Sequence, residues 1–149
     1  IMIRKAWAKD AKALKYLYEE VLHPSQGEQA WDQESWEKRL DRFYQDPHYH
    51  ILVAEEAGCV VATVTFVIVE NLTYQLRPYG IIENVVTHPD YQKQGYASAW
   101  LQIALEIAKA AQFYMVTVAT LSKKKSTLDF YRKNGFRLDE KTAGVYRFE

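Results

Sequence analysis

The stretch from Ile81 to Thr120 constrains the fold more than any other part of the chain. Ile81–Thr87 is an apolar, β-branched strand that runs into the turn His88-Pro89. A polar loop follows, Asp90-Tyr91-Gln92-Lys93-Gln94-Gly95, and then an apolar-periodic helix over Gly95–Ala111. Phe113–Thr120 reads as a further strand. Strand, loop, helix and strand in this order predict a right-handed βαβ unit with the two strands parallel. The first N–H groups of the helix have no internal partners and sit at its positive end, so an anionic group, phosphate above all, is a natural guest there. The small residues of Gln92-x-x-Gly95-x-Ala97 permit close approach.

Upstream, Met2–Trp7 reads as a first strand and Lys9–Val21 as a helix with Ala11, Leu14, Leu17, Tyr18 and Val21 at helical spacing. His23-Pro24-Ser25-Gln26-Gly27 breaks it. A second helix is predicted over Gln33–Tyr44, with Trp36, Leu40, Phe43 and Tyr44 on one side. His50–Glu55 and Val60–Val69 are strands joined tightly by Glu56-Ala57-Gly58, and Asn71–Gly80 is a polar connection. Downstream, Ser126–Lys133 is a short helix closed by Asn134-Gly135, and Phe136–Asp139 with Val145–Phe148 is expected to form a terminal hairpin. The sum is one α/β domain over residues 1–149, with a mixed, largely antiparallel sheet flanked by helices.

The 19 basic and 19 acidic residues cancel, so no global field draws the chain to nucleic acid or to a membrane. The longest apolar runs fall well short of the roughly 20 residues a membrane span requires. Cys59 is the one cysteine, which excludes an intrachain disulfide and suits a reducing compartment. No secretory signal is legible, and a cytoplasmic protein is expected. Within Cys59-Val60-Val61-Ala62 the thiol reads as a small buried residue rather than a nucleophile. His48 and His50 share strand spacing without a recognisable third ligand, so no metal is expected.

A Walker A loop and the dinucleotide fingerprint Gly-x-Gly-x-x-Gly are both missing. A second motif, Phe130-Tyr131-Arg132-Lys133-Asn134-Gly135-Phe136, lies downstream of the glycine loop. Together, the two motifs make the chain resemble the GNAT superfamily of N-acetyltransferases. Those proteins carry a strand, an Arg/Gln-x-x-Gly-x-Gly/Ala loop and a long helix, then a short helix ending Tyr-x-x-x-Gly-Phe. The resemblance extends over nearly the whole chain and is sharpest over Ile82–Phe136. It implies acetyl-coenzyme A as co-substrate. The main chain of Val85, Val86 and Thr87 would pair with the pantetheine arm, and the amides of Gln92, Lys93, Gln94, Gly95, Tyr96, Ala97 and Ser98 would bind the pyrophosphate. Donors near Val85 and Val86 would serve the oxyanion. Ala97 stands where many relatives have glycine, and Lys124 where many have asparagine.

The same resemblance gives Tyr131 the role of proton donor to the departing thiolate, a step suited to a phenol of pKa ~10 facing a thiol of ~8.5. Glu83, on the strand before the loop, is the candidate base that takes a proton from the attacking ammonium through water. Side chains alternate along a strand, so Glu83 and Asn84 share one pocket only if a bulge intervenes. The expected reaction is direct attack of a primary amine on the thioester. The acceptor is expected to be a small molecule, selected by His23–Trp36 and Asn71–Tyr79 with Tyr146 at the mouth. A homodimer is compatible with the sequence. The alternatives are a protein N-acetyltransferase, a non-catalytic acyl-coenzyme A-binding module and a nucleotide-binding module.

Overall fold

A computed structural model of the chain describes residues 2–26 and 30–148, so Gly27 and part of the expected selectivity segment lie outside the described residues. The chain divides into two compact units, 1–117 and 118–149. A five-stranded sheet has the order β1-β2-β3-β4-β5, its first four strands lying within the first unit. Its strands are β1 (Met2–Lys5), β2 (Tyr49–Glu56), β3 (Cys59–Val69), β4 (Tyr79–Thr87) and β5 (Met115–Val118). The pairs β1/β2, β2/β3 and β3/β4 are antiparallel. Between β4 and β5, Tyr114 N–H donates to the Pro78 carbonyl at 3.1 Å and Thr117 Oγ1 to the Gly80 carbonyl at 3.5 Å. These contacts advance in the same direction along both strands, as in a parallel pair, so the sheet is mixed as expected.

The expected first helix is three pieces: a 3-10 turn over Ala8–Asp10, α1 (Ala11–Tyr16), and a π-helical stretch over Leu17–Leu22. Helix α2 (Gln33–Gln45) begins where Asp32 accepts the amides of Glu34 and Ser35 at 3.1 and 3.4 Å. Its Trp36, Leu40 and Phe43 pack inward with Ala11, Leu14, Ile51 and Val53, whereas Tyr44 is 49% exposed and does not join that face. On the opposite side of the sheet lies the long helix α3 (Tyr96–Ala110), which buries Tyr96, Trp100, Leu101, Ala104 and Ala108. Spacings of four, one, three and four keep these residues on one stripe.

A buried charge cluster ties β1 to the 3-10 turn. Asp10 is 4% exposed and receives Arg4 through two bonds of 2.8 and 2.9 Å, and Arg4 Nε reaches Glu55 at 2.9 Å. The bond from Asp10 raises the guanidinium further above its ordinary range. Between β3 and β4, the turn Thr73–Leu76 holds Tyr74, Gln75 and Leu76 in left-handed backbone conformations.

The second unit contains α4 (Lys125–Lys133), with Asn134-Gly135 closing it. Gly135 has φ +93 and its N–H bonds the Arg132 carbonyl at 3.0 Å, while Phe136 N–H returns to the Tyr131 carbonyl at 3.0 Å. The expected terminal hairpin is not formed. Among the described residues after β5 there is no strand, and residues 141–148 are all exposed. With Val145, Tyr146 and Phe148 in solvent, this segment buries no face that would fix a strand register.

Candidate active site

The candidate site begins with an irregularity in β4. Thr65 pairs with Glu83 and Thr63 with Val86, so Asn84 and Val85 together face the single residue Val64. This is a β-bulge, and Asn84 takes φ +52 within it. It breaks the alternation that would otherwise separate Glu83 from Asn84, and both side chains are exposed. Asn and Asp tolerate left-handed backbone better than other residues with a Cβ, which is the local reason the bulge falls here. Glu83 lies on the side of Tyr49, whose phenol is raised first by burial and then by the Glu83 charge.

Beyond the bulge, Val86 and Thr87 pair with Thr63 and Ala62 of β3. Strand β5 has 4 residues against 9 in β4, and its contacts fall at Pro78 and Gly80, the far end of β4. The Val85–Thr87 end is therefore flanked by β3 on one side and lies past the run of those β5 contacts on the other. An open strand edge of this kind suits an extended, amide-bearing ligand.

The loop after β4 is held by its own side chains. His88 Nδ1 accepts the Asp90 amide at 3.1 Å, which caps the 3-10 turn Pro89–Tyr91. Gln92 donates to the Thr87 carbonyl at 3.2 Å and Gln94 to the Asp90 carbonyl at 3.3 Å. Lys93 and Gly95 adopt φ +63 and +86. Gly95 occupies the N-cap of α3 and provides no side-chain cap. The first bond of the helical ladder runs from Ala99 N–H to the Gly95 carbonyl at 3.0 Å, so the amides of Tyr96, Ala97 and Ser98 precede the ladder. A loop of exposed Gln92, Lys93, Gln94 and Gly95 thus leads into a helix start whose donors are not used by the helix.

The structure brings Val85, Val86, Thr87 and Gln92 to Ser98 together in the first unit. Two of these residues behave differently from the simple reading. Val86 directs its side chain inward and is 6% exposed, leaving its main chain for the site. Tyr96 buries its ring against Ala54, Val61 and Ala62, so only its amide belongs to the helix-start donors. Tyr131 lies in the second unit, on α4. It is 4% exposed, meets Phe130 and Phe136 edge to face at 5.2 and 5.8 Å, and burial pushes its phenol up. Cys59 is exposed at the start of β3, against the expectation of burial, because it directly follows the Ala57-Gly58 turn. His88 next to Pro89 is a turn residue, as its place before a proline suggests. Sequence reasoning missed Glu56, which carries no local signal, since its partner Tyr96 is 40 positions away.

A bulged strand entering a glycine loop and a long helix, within a mixed sheet, is the α/β frame of the site. The model of the acetyltransferase (GNAT) family matches residues 11–136, and the chain belongs to that family. A glucosamine 6-phosphate N-acetyltransferase of Trypanosoma brucei brucei is 31% identical over 87 residues, spanning 58% of this chain and 57% of that protein. A solved structure from Agrobacterium tumefaciens str. C58, assigned as an acetyltransferase, is 34% identical with a TM-score of 0.87, covering 99% of this chain and 100% of that one. The glucosamine-6-phosphate N-acetyltransferase of Arabidopsis thaliana shares the fold at 21% identity, with a TM-score of 0.78 and coverage of 99% and 97%. No helix among the described residues is long and apolar enough to cross a membrane.

Proposed function

We propose that the chain is an acetyl-coenzyme A-dependent N-acetyltransferase that acts on a primary amine of a small molecule. The observation that carries this reading is the bulged end of β4 followed by the uncapped start of α3, with Gly95 at φ +86 between them. An open strand edge and a set of free helix-start amides suit an extended arm ending in a diphosphate. Val85, Val86 and Thr87 supply main-chain groups to the arm, and the amides from Gln92 to Ser98 take the diphosphate. A main-chain donor at the bulge polarises the thioester carbonyl; one such preorganised donor is worth about 3 kcal/mol.

Attack requires an uncharged amine. Glu83, exposed beside the bulge, receives the ammonium proton through water. The C–N bond then forms, the nitrogen releases its surplus proton to solvent, the C–S bond breaks, and the thiolate is protonated. Tyr131 is the proposed donor for that last step. A phenol is protonated through the neutral range, as a general acid must be, and burial pushes this one further up. The names of the relatives support an amino sugar phosphate as the first acceptor to test.

The decisive experiment measures free thiol release from acetyl-coenzyme A with a panel of amino sugars, their phosphates, amino acids, polyamines and aminoglycosides. The proposal expects turnover with at least one of them, and Tyr131→Phe to lower kcat by about 10²-fold or more while coenzyme A binding persists. Tight coenzyme A binding without turnover on any amine favours a binding module, turnover confined to peptide N-termini favours a protein acceptor, and tighter binding of ATP refutes the reading.

A further inference from the structure

The start of α3 is held by a strand that does not belong to the loop preceding it. Tyr96, the first helical residue, is 6% exposed, and Ile3 and Tyr91 pack on the same small cluster of Ala54, Val61 and Ala62. Tyr91 meets the Tyr96 ring edge to face with centroids 6.1 Å apart. The Tyr96 hydroxyl donates to the Oε2 atom of Glu56. Glu56 is the last residue of β2, immediately before the tight Ala57-Gly58 turn with φ +51 and +80. It belongs to a hairpin paired from Tyr49/Val67 to Glu56/Cys59, so the acceptor is mounted on a firm element. The bond to Glu56 pushes the Tyr96 phenol up to about 12, which keeps it a donor at any ordinary pH.

The helix needs such an anchor. Gly95 makes no side-chain cap, and the loop before it turns through left-handed backbone at Lys93 and again at Gly95. Glycine in that position sets no direction of its own. A side chain of the first helical residue, wedged in an apolar hole and bonded through its far end, fixes both the position and the rotation of the helix start. Hydrogen bonds to a carboxylate are about twice as strong as neutral ones, which suits the role.

We infer that Glu56 is a positioning residue for the diphosphate site: by accepting the Tyr96 hydroxyl, it sets the direction in which the amides of Tyr96, Ala97 and Ser98 face an anionic ligand. This inference rests on the coenzyme A reading above. It has a physical signature, because the carboxylate acts in two opposed ways. Its negative charge disfavours an anion nearby, whereas its acceptor atom organises the donors that bind one. Removing the charge alone and removing the acceptor must therefore have different outcomes.

The experiment compares wild type, Glu56→Gln and Glu56→Ala for binding of coenzyme A by calorimetry, and for the KM of acetyl-coenzyme A and of S-acetylpantetheine, which lacks the diphosphate. Glu56→Gln retains an acceptor without the charge and is expected to bind coenzyme A as well as wild type or better. Glu56→Ala loses both and is expected to bind about tenfold more weakly, with the KM for S-acetylpantetheine changed less than about twofold. Tyr96→Phe should reproduce the coenzyme A defect, and adding Glu56→Ala to it should cost nothing more. Two results overturn the inference: Glu56→Ala binding coenzyme A as tightly as wild type, or weakening both thioesters equally. If wild type itself shows no preference for coenzyme A over pantetheine, the diphosphate reading fails first and carries this inference with it.

Discussion

Replacing Gly95 by alanine tests the loop with little else disturbed. A Cβ built on Gly95 meets nothing within 4 Å, so the substitution creates no clash. What remains is the backbone. Gly95 sits at φ +86, ψ 4, a left-handed conformation that costs a residue with a Cβ about 1–2 kcal/mol. The variant has two ways to bear that cost. It can keep the conformation, in which case folding stability falls by the full amount, or about 2–8 °C in Tm at 2–4 °C per kcal/mol. Alternatively the helix start relaxes toward negative φ and the amides of Tyr96–Ser98 turn away. Stability then recovers, and coenzyme A binds about 5- to 30-fold more weakly. The losses in stability and in binding free energy should together come to about 1–2 kcal/mol. Urea unfolding and calorimetric titration with coenzyme A, on the same preparations, measure both. Gly95→Asn should lose less, since asparagine tolerates this region. A Gly95→Ala protein with unchanged stability and unchanged affinity would refute the account of the loop.

Gly80 is a contrasting case: a Cβ there would lie 2.5 Å from Phe66 Cε2 and 3.3 Å from Phe113 Cε2. Phe66 is fully buried and stacked on Phe113 at 6.0 Å, so Gly80→Ala should cost about 1–3 kcal/mol of stability by overpacking, seen as a lower urea midpoint. Arg4→Ala leaves the buried Asp10 carboxylate without its two-bond partner, and a loss of roughly 3 kcal/mol is expected; a loss under ~1 kcal/mol would show that solvent reaches Asp10. On the alkaline side, Tyr96 is pushed up to about 12 in the folded chain, against about 10 when unfolded. The stability linked to it is fully present below pH ~10 and is lost as pH rises toward 12, so Tyr96→Phe should flatten the decline in urea midpoint between those values.

Much of the fold was legible because it depends on local pattern. The stripe Tyr96, Trp100, Leu101, Ala104 and Ala108 has helical spacing, and the β-branched run of β3 declares a buried strand whichever way the chain later turns. Gly95 before α3 and the Asn134-Gly135 stop are likewise local, since each answers a backbone requirement within a few residues. The terminal hairpin was not legible. Val145–Phe148 has strand composition, but a strand exists only when a partner pairs with it, and composition does not specify the partner.

That β4 runs through a glycine loop into a helix is written in the order of residues, because φ preferences and apolar periodicity act over a few positions. Tertiary structure decided what that unit could do. Only the register against Val64 put two residues of β4 opposite one and turned Glu83 and Asn84 outward together. Only the folding of the β2–β3 hairpin brought Glu56 to the hydroxyl of Tyr96. Pairing register and contacts between distant segments arise when whole surfaces are buried at once, and no short window of sequence contains them.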